Sequence, residues 1–164
     1  MKTRHLVLLL LWGAAALQCL YYYPLLPETV ASHFDGAGRP NGWSSKQSFL
    51  GLYVAMIGLM SFVFYVLPGL LHHFSPSRIN IPHRKYWLEP ERKEKALAMM
   101  DEQMGRFGIA TMILMVWAIQ LAINANAAGG GSLNSGTMWM LLGGYAAYTV
   151  MWLVRLYRRF RVPR

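Results

Sequence analysis

The sequence predicts an all-α, polytopic membrane protein: four transmembrane helices with N- and C-termini cytoplasmic, a structured outer loop and a cytoplasmic helical segment. Three observations point there. The 164 residues are 55% apolar with a mean hydropathy of +0.27, too hydrophobic for an ordinary soluble domain. Four stretches, residues 6–26, 47–71, 107–125 and 136–156, come up to the ~20 apolar residues that a hydrocarbon core takes. Basic residues gather in alternate connections, so the formal charge of +9 reads as a topology signal; no nucleic-acid-binding module accompanies it. Residues 1–164 form one integral membrane domain, and no nucleic acid is expected as a partner.

The orientation follows from the placement of Lys and Arg. Lys2 and Arg4 precede the first span, and Arg78, Arg84, Lys85, Arg92, Lys93, Lys95 and Arg106 fall in the segment 72–106. Arg155, Arg158, Arg159, Arg161 and Arg164 end the chain. The loop 27–46 holds only Arg39 and Lys46, and the turn at Gly129-Gly130-Gly131 holds no charge. Both tails and the segment 72–106 are therefore expected in the cytoplasm, in a multi-pass membrane protein. No span carries a charged side chain deep in its middle, which argues against a voltage sensor or an intramembrane carboxylate relay.

The first span opens like a signal peptide, with Lys2 and Arg4 before a leucine run and Ala14-Ala15-Ala16 as a small-residue site. Ala16-Leu17-Gln18-Cys19 resembles a lipoprotein box in which Gln18 fits poorly. The apolar run nevertheless continues through Tyr21-Tyr22-Tyr23 to Leu26, so an uncleaved span with an aromatic belt is expected. Cys19 is the single cysteine and permits no intramolecular disulfide.

The outer loop carries more chemistry than a connector needs. Its candidate site residues are Glu28, His33, Asp35, Asn41, Trp43 and Lys46. Pro27 is suited to open a short helix with Glu28 in its first turn, Val30 and Phe34 sharing one face. Residues 35–38 and 39–42 read as successive turns. Ser44 and Gln47 resemble a capping box for the second span. Lys46 falls in that helix's first turn, where a cation opposes the macrodipole. It therefore either snorkels to the interface or pairs with Asp35 or Glu28. His33, Asp35, Asn41 and Lys46 are expected to converge on one site, held by Trp43 and by glycine-dependent turns.

The second span contains Gly51, Ala55 and Gly58, which allow close helix approach, and Pro68-Gly69 loosens its end. His72, His73 and His83 do not suggest a metal, because adjacent helical histidines point about 100° apart. No metal or cofactor is expected.

In the cytoplasmic segment the candidate surface residues are Asn80, Tyr86, Trp87, Glu89 and Arg92. Tyr86 and Trp87 read as interface anchors beside the headgroup-seeking Arg84 and Lys85. Pro90 opens a helix that runs into the third span, supported by Glu89–Lys93 and Glu91–Lys95 spacings. Leu97, Met100, Met104 and Phe107 make one buried stripe, with Gly105 and Gly108 as places to bend. Gln120, Asn124 and Asn126 end the third span and can bond across helices, and Gly143 and Ala147 give the fourth span a small face.

The run Leu26-Pro27-Glu28, with His33-Phe34-Asp35, Gly38, Asn41-Gly42-Trp43 and Lys46, resembles the signature of a bacterial membrane domain of unknown function. That domain is also found at the N-terminus of SdpI-type toxin-immunity proteins. Residues 80–92 are similar to a block in small members of the same group. The resemblance implies a polytopic bacterial membrane protein and carries over no catalytic residues. It does not imply immunity, since the C-terminal half shows no SdpI-type pattern.

Three functions compete. In the first the chain is a membrane binding or sensing module, immunity- or envelope-related, whose outer loop engages a peptide, a lipid or a partner protein. In the second it is a structural or assembly subunit of a larger membrane complex, a second copy of the chain being one partner. In the third it is a small enzyme with His33 as acid or base and Asp35 and Lys46 as electrostatic partners; no nucleophile motif or metal set supports it. The lipid bilayer is a partner in all three.

Overall fold

The computed structural model describes residues 3–129 and 131–162. Lys2 and Arg164, counted in the charge asymmetry, and Gly130 of the interhelical turn lie outside the described residues. Helix α1 spans Thr3–Tyr22, strands β1 and β2 span Thr29–Phe34 and Pro40–Ser45, and helix α2 spans Lys46–His73. A single turn α3 (Arg84–Trp87) follows, then the long α4 (Pro90–Ala127) and α5 (Ser135–Arg159). Four of these helices, α1, α2, α4 and α5, are long and apolar enough to cross a membrane. The chain is a mostly helical, multi-pass membrane protein.

Helix α4 is the hub. It packs against α1, α2 and α5, whereas α5 touches no other long helix among the described residues. At 38 residues α4 is about 57 Å long against a hydrocarbon core of ~30 Å, so its first turns stand clear of the membrane. As Pro90 predicts, it begins there and runs unbroken into the span. Gly105 and Gly108 are contact points rather than breaks. Gly105 lies under the Arg4 side chain, and a Cβ at Gly108 would come within 2.5 Å of Phe64 Cβ. Phe64 sits in a π-helical turn of α2, Phe62–Val66, just before Pro68. The wider turn presses α2 against α4 at that glycine.

Three apolar clusters stack along the bundle. Near the hairpin, Leu26, Val30, Phe49, Leu50, Ile123 and Leu133 pack together. Midway, Ala15, Tyr53, Ile57 and Met112 join α1, α2 and α4. At the basic end, Ile79, Ile81, Trp87, Leu88, Leu97, Met99, Leu156 and Phe160 form a third core. The expected stripe is half-buried or better along its length: Leu97 is in that core, Met100 packs on it, and Phe107 meets Phe64 and Trp152.

Polar side chains tie the helices. Gln18 of α1 donates to Val116 O and to Gln120 Oε1 of α4, while Tyr53 of α2 donates to Gln18 Oε1 at 2.7 Å. Trp12 donates to Ser61 at 3.0 Å, and Thr111 bonds Tyr145 at 2.8 Å. Such interhelical bonds contribute about 0.6–2 kcal/mol each. At the basic end Arg4 pairs with Asp101 at 2.6 Å, fixing the start of α1 to α4.

Candidate functional site

The outer-loop segment departs from expectation. No helix starts at Pro27; residues 29–45 form an antiparallel β-hairpin. Val30 and Phe34 do share a core, as expected, but from a strand and not from a helical face. The hairpin is short and irregular, with register shifts on both sides of His33. Asp35 builds its tip: one carboxylate oxygen accepts the Ala37 and Arg39 N–H groups, at 2.9 and 2.8 Å, and the other accepts from Arg39 Nε at 3.1 Å. These backbone donors, Arg39 first, lower the pKa of Asp35 below the usual carboxylate range. Gly38 adopts φ +80, where its missing Cβ would lie 2.1 Å from Leu133 O.

Three attachments hold the hairpin over the helix ends. Asn126 of α4 accepts from Ala31 N at 2.6 Å and donates to Ala31 O at 2.9 Å, closing the outer edge of β1 as a second strand would. Leu133 N donates to Gly38 O at 2.8 Å, and Trp139 of α5 donates to Gly36 O at 3.0 Å. The hairpin is thus strung from the start of α2 to the start of α5, two helices that do not touch.

The expected convergence of four residues divides into three local pairings. His33 Nδ1 meets Asn41 Oδ1 at 2.5 Å, and Asp35 is engaged by Arg39. Lys46 takes Glu28, not Asp35, at 2.9 Å, with Leu26 O at 3.4 Å and the Tyr23 ring at 4.8 Å. Lys46 is only 8% exposed, so the cation misplaced for the macrodipole is a buried, paired group and does not snorkel. Glu28 beside it answers the helix end, and Lys46 in turn lowers the pKa of Glu28. The cap of α2 is Ser45, accepting from Ser48 N at 3.1 Å, one residue later than expected. Trp43 clamps nothing; it projects from β2, 62% exposed.

Beneath the hairpin, a groove of 530 Å³ runs between α2 and α4. Its floor is apolar, from Phe49, Leu52, Tyr53, Met56, Met115, Ala118 and Ile119. Its rim is Ser32, His33, Ser44 and Ser48. No Lys, Arg, Asp or Glu lines the groove, and those nearby are engaged elsewhere, Lys46 by Glu28 and Asp35 by Arg39. His33 is the one expected site residue on this rim. Ser32, Ser44 and Ser48 were missed as site residues, because single serines carry no sequence signal until the fold brings β1, β2 and the first turn of α2 to one rim. His33 leans on a neutral amide, not on the carboxylate that would orient and activate a catalytic histidine.

At the opposite end, Trp87 is a core residue and no lipid anchor: its indole donates to Phe160 O at 2.7 Å and its ring packs on Phe160. Tyr86 is half-buried, with Arg92 over its ring at 4.2 Å. Glu89 pairs with Arg92, in place of the expected Lys93. Asn80 is exposed. Among the described residues no group of His, Cys, Asp and Glu is placed to hold a metal.

No curated protein and no solved structure matches the chain. Residues 7–57 match the family model described as "Domain of unknown function (DUF1648)"; the matched residues cover α1 from residue 7, the hairpin and the α2 wall of the groove.

Proposed function

We propose that the chain is a binding module of the bacterial inner membrane, with both termini cytoplasmic and the hairpin outside. Its groove captures an amphiphile with an apolar body and an uncharged, hydrogen-bonding head. The observation that carries this is the division of the groove: an apolar floor between α2 and α4 under a rim of three serines and His33. Its volume is in the range of small-ligand sites, about 300–1,000 Å³. A rim without Lys or Arg favours hydroxyl or amide heads over phosphate. An apolar peptide inserted from outside would be held in the same way, and an immunity role of the SdpI type would be one such case.

The test compares what copurifies with wild type and with Ala118→Phe, which fills the floor. Mass spectrometry of detergent-purified protein should find a neutral-headed amphiphile enriched over bulk lipid in wild type and lost in the variant. The same lipid profile in both would overturn the proposal.

The alternative, an assembly subunit, is favoured by α5. Its Trp139, Met140, Val150 and Tyr157 are exposed, and Gly143 and Gly144 have nothing within 4 Å of a Cβ. Chemical crosslinking in membranes distinguishes it: a discrete adduct through α5 would place that helix against a partner.

A further inference from the structure

Beyond the hairpin end, the basic end holds a second recess, lined by Trp87, Lys95, Ala98, Met99, Glu102, Arg159 and Arg161, with a volume of 580 Å³. We infer that this recess binds the phosphate group of an anionic phospholipid headgroup.

The cations are placed by the fold. The Trp87 indole bond to Phe160 O fixes the chain just past α5, and Phe160 itself is fully buried. Arg159 and Arg161 flank that anchor, and both line the recess opposite Lys95 of α4. The one carboxylate present, Glu102, is already occupied by Arg106 at 2.6 Å and reaches Arg159 only at 3.5 Å. Among the described residues neither Lys95 nor Arg161 has a carboxylate within ion-pair distance. Three cations around one shared carboxylate leave the recess with a positive excess. Arginine suits a phosphate because its planar fork matches two oxygens at once.

Depth selects the lipid. Helix α5 has 25 residues, about 37 Å, so its last turn leaves a ~30 Å hydrocarbon core at headgroup level. The recess opens there, where the phosphates of the leaflet lie. This site is independent of the groove under the hairpin, whose lining holds no Lys or Arg.

The experiment uses the full chain in mild detergent, with phosphatidylglycerol and phosphatidylcholine as probes, read by native mass spectrometry. Wild type should retain phosphatidylglycerol in preference to phosphatidylcholine. Lys95→Ala with Arg161→Ala should reduce phosphatidylglycerol retention by about tenfold or more, at roughly fivefold for each cation near the surface. Arg84→Ala with Lys85→Ala removes the same charge outside this recess, so it weakens only the general surface attraction and should reduce retention less than the recess variant does. Equal losses in the two double variants would show general surface attraction and overturn the site, as would no loss in either. Adding inorganic phosphate separates the sources. Phosphatidylglycerol that persists in millimolar phosphate identifies the lipid headgroup as the ligand; displacement of phosphatidylglycerol by phosphate at that level would overturn the lipid assignment.

Discussion

The side-chain amide of Asn126 takes both backbone groups of Ala31, accepting from its N–H at 2.6 Å and donating to its C=O at 2.9 Å. A second N–H of the same amide donates to Ala122 O at 2.8 Å. Asn126 is 3% exposed, so water has no access to replace it. One residue thus joins the end of the hub helix to the edge of the hairpin, and the roof of the groove hangs on it.

Asn126→Ala should accordingly destabilise the protein by roughly 2–4 kcal/mol, since two buried backbone groups lose their partners at ~1–3 kcal/mol each. Thermal melting in mild detergent would measure the loss, and amide exchange should rise first at residues 29–34. A change below about 0.5 kcal/mol, the level of an ordinary surface substitution, would contradict the buried bonding.

The junction of hairpin and α5 rests on Gly38. Gly38→Ala meets both a positive φ and the Leu133 carbonyl, and should cost roughly 1–3 kcal/mol. Gly36→Ala, whose nearest neighbour is a Trp139 ring carbon at 3.7 Å, should be tolerated. Equal melting temperatures for the two variants would show that the tip is not held against α5.

Acid should loosen the hairpin tip. The pKa of Asp35 is lowered in the folded state, so its stabilising contribution is complete above the unfolded value, near pH 4. It is lost as the pH falls through the lower folded value. Protection factors at Ala37 and Arg39, taken relative to intrinsic exchange at each pH, should therefore fall in that acid window, and Asp35→Asn should lack that protection at neutral pH already. Protection unchanged down to pH 2 would contradict the carboxylate's role.

The proposed orientation has its own test. Ala37 is exposed at the hairpin tip, so Ala37→Cys in a Cys19→Ser background should react with an impermeant thiol reagent added outside intact cells. Labelling only after the cytoplasmic face is opened would reverse the topology.

The spans were legible because ~20-residue apolar runs have no alternative in water, and Pro90 marked the start of α4. The structure adds one to three residues at most ends, as Thr3 and Arg159 show, but ends α1 at Tyr22, four residues before the expected Leu26. The hairpin was not legible. Pro27-Glu28 has the chemistry of a helix start, and the strands lack clean alternation because Val30 and Ala31 are both buried around an irregular register. Asp35-Gly36 was a genuine turn signal, yet nothing local revealed that its flanks pair. Lys46 was correctly singled out as a rule-breaker, but its partner depended on the hairpin bringing Glu28 beside α2. Trp87 was misjudged, and the bonding role of Gln18 missed, for a related reason. Their partners, Phe160 for the one and Gln120 and Tyr53 for the other, are distant in the chain, and residue type alone suggested an interface anchor for Trp87.

The most direct test of the groove is site-specific photocrosslinking in native membranes. A benzophenone amino acid at Met56, on the groove floor, is compared with one at Met140, on the exposed face of α5. Met56 should yield adducts enriched in one neutral-headed amphiphile, and Ala118→Phe should abolish that enrichment, while Met140 samples bulk lipid in both. Adducts of the same composition at the two positions would contradict a binding groove.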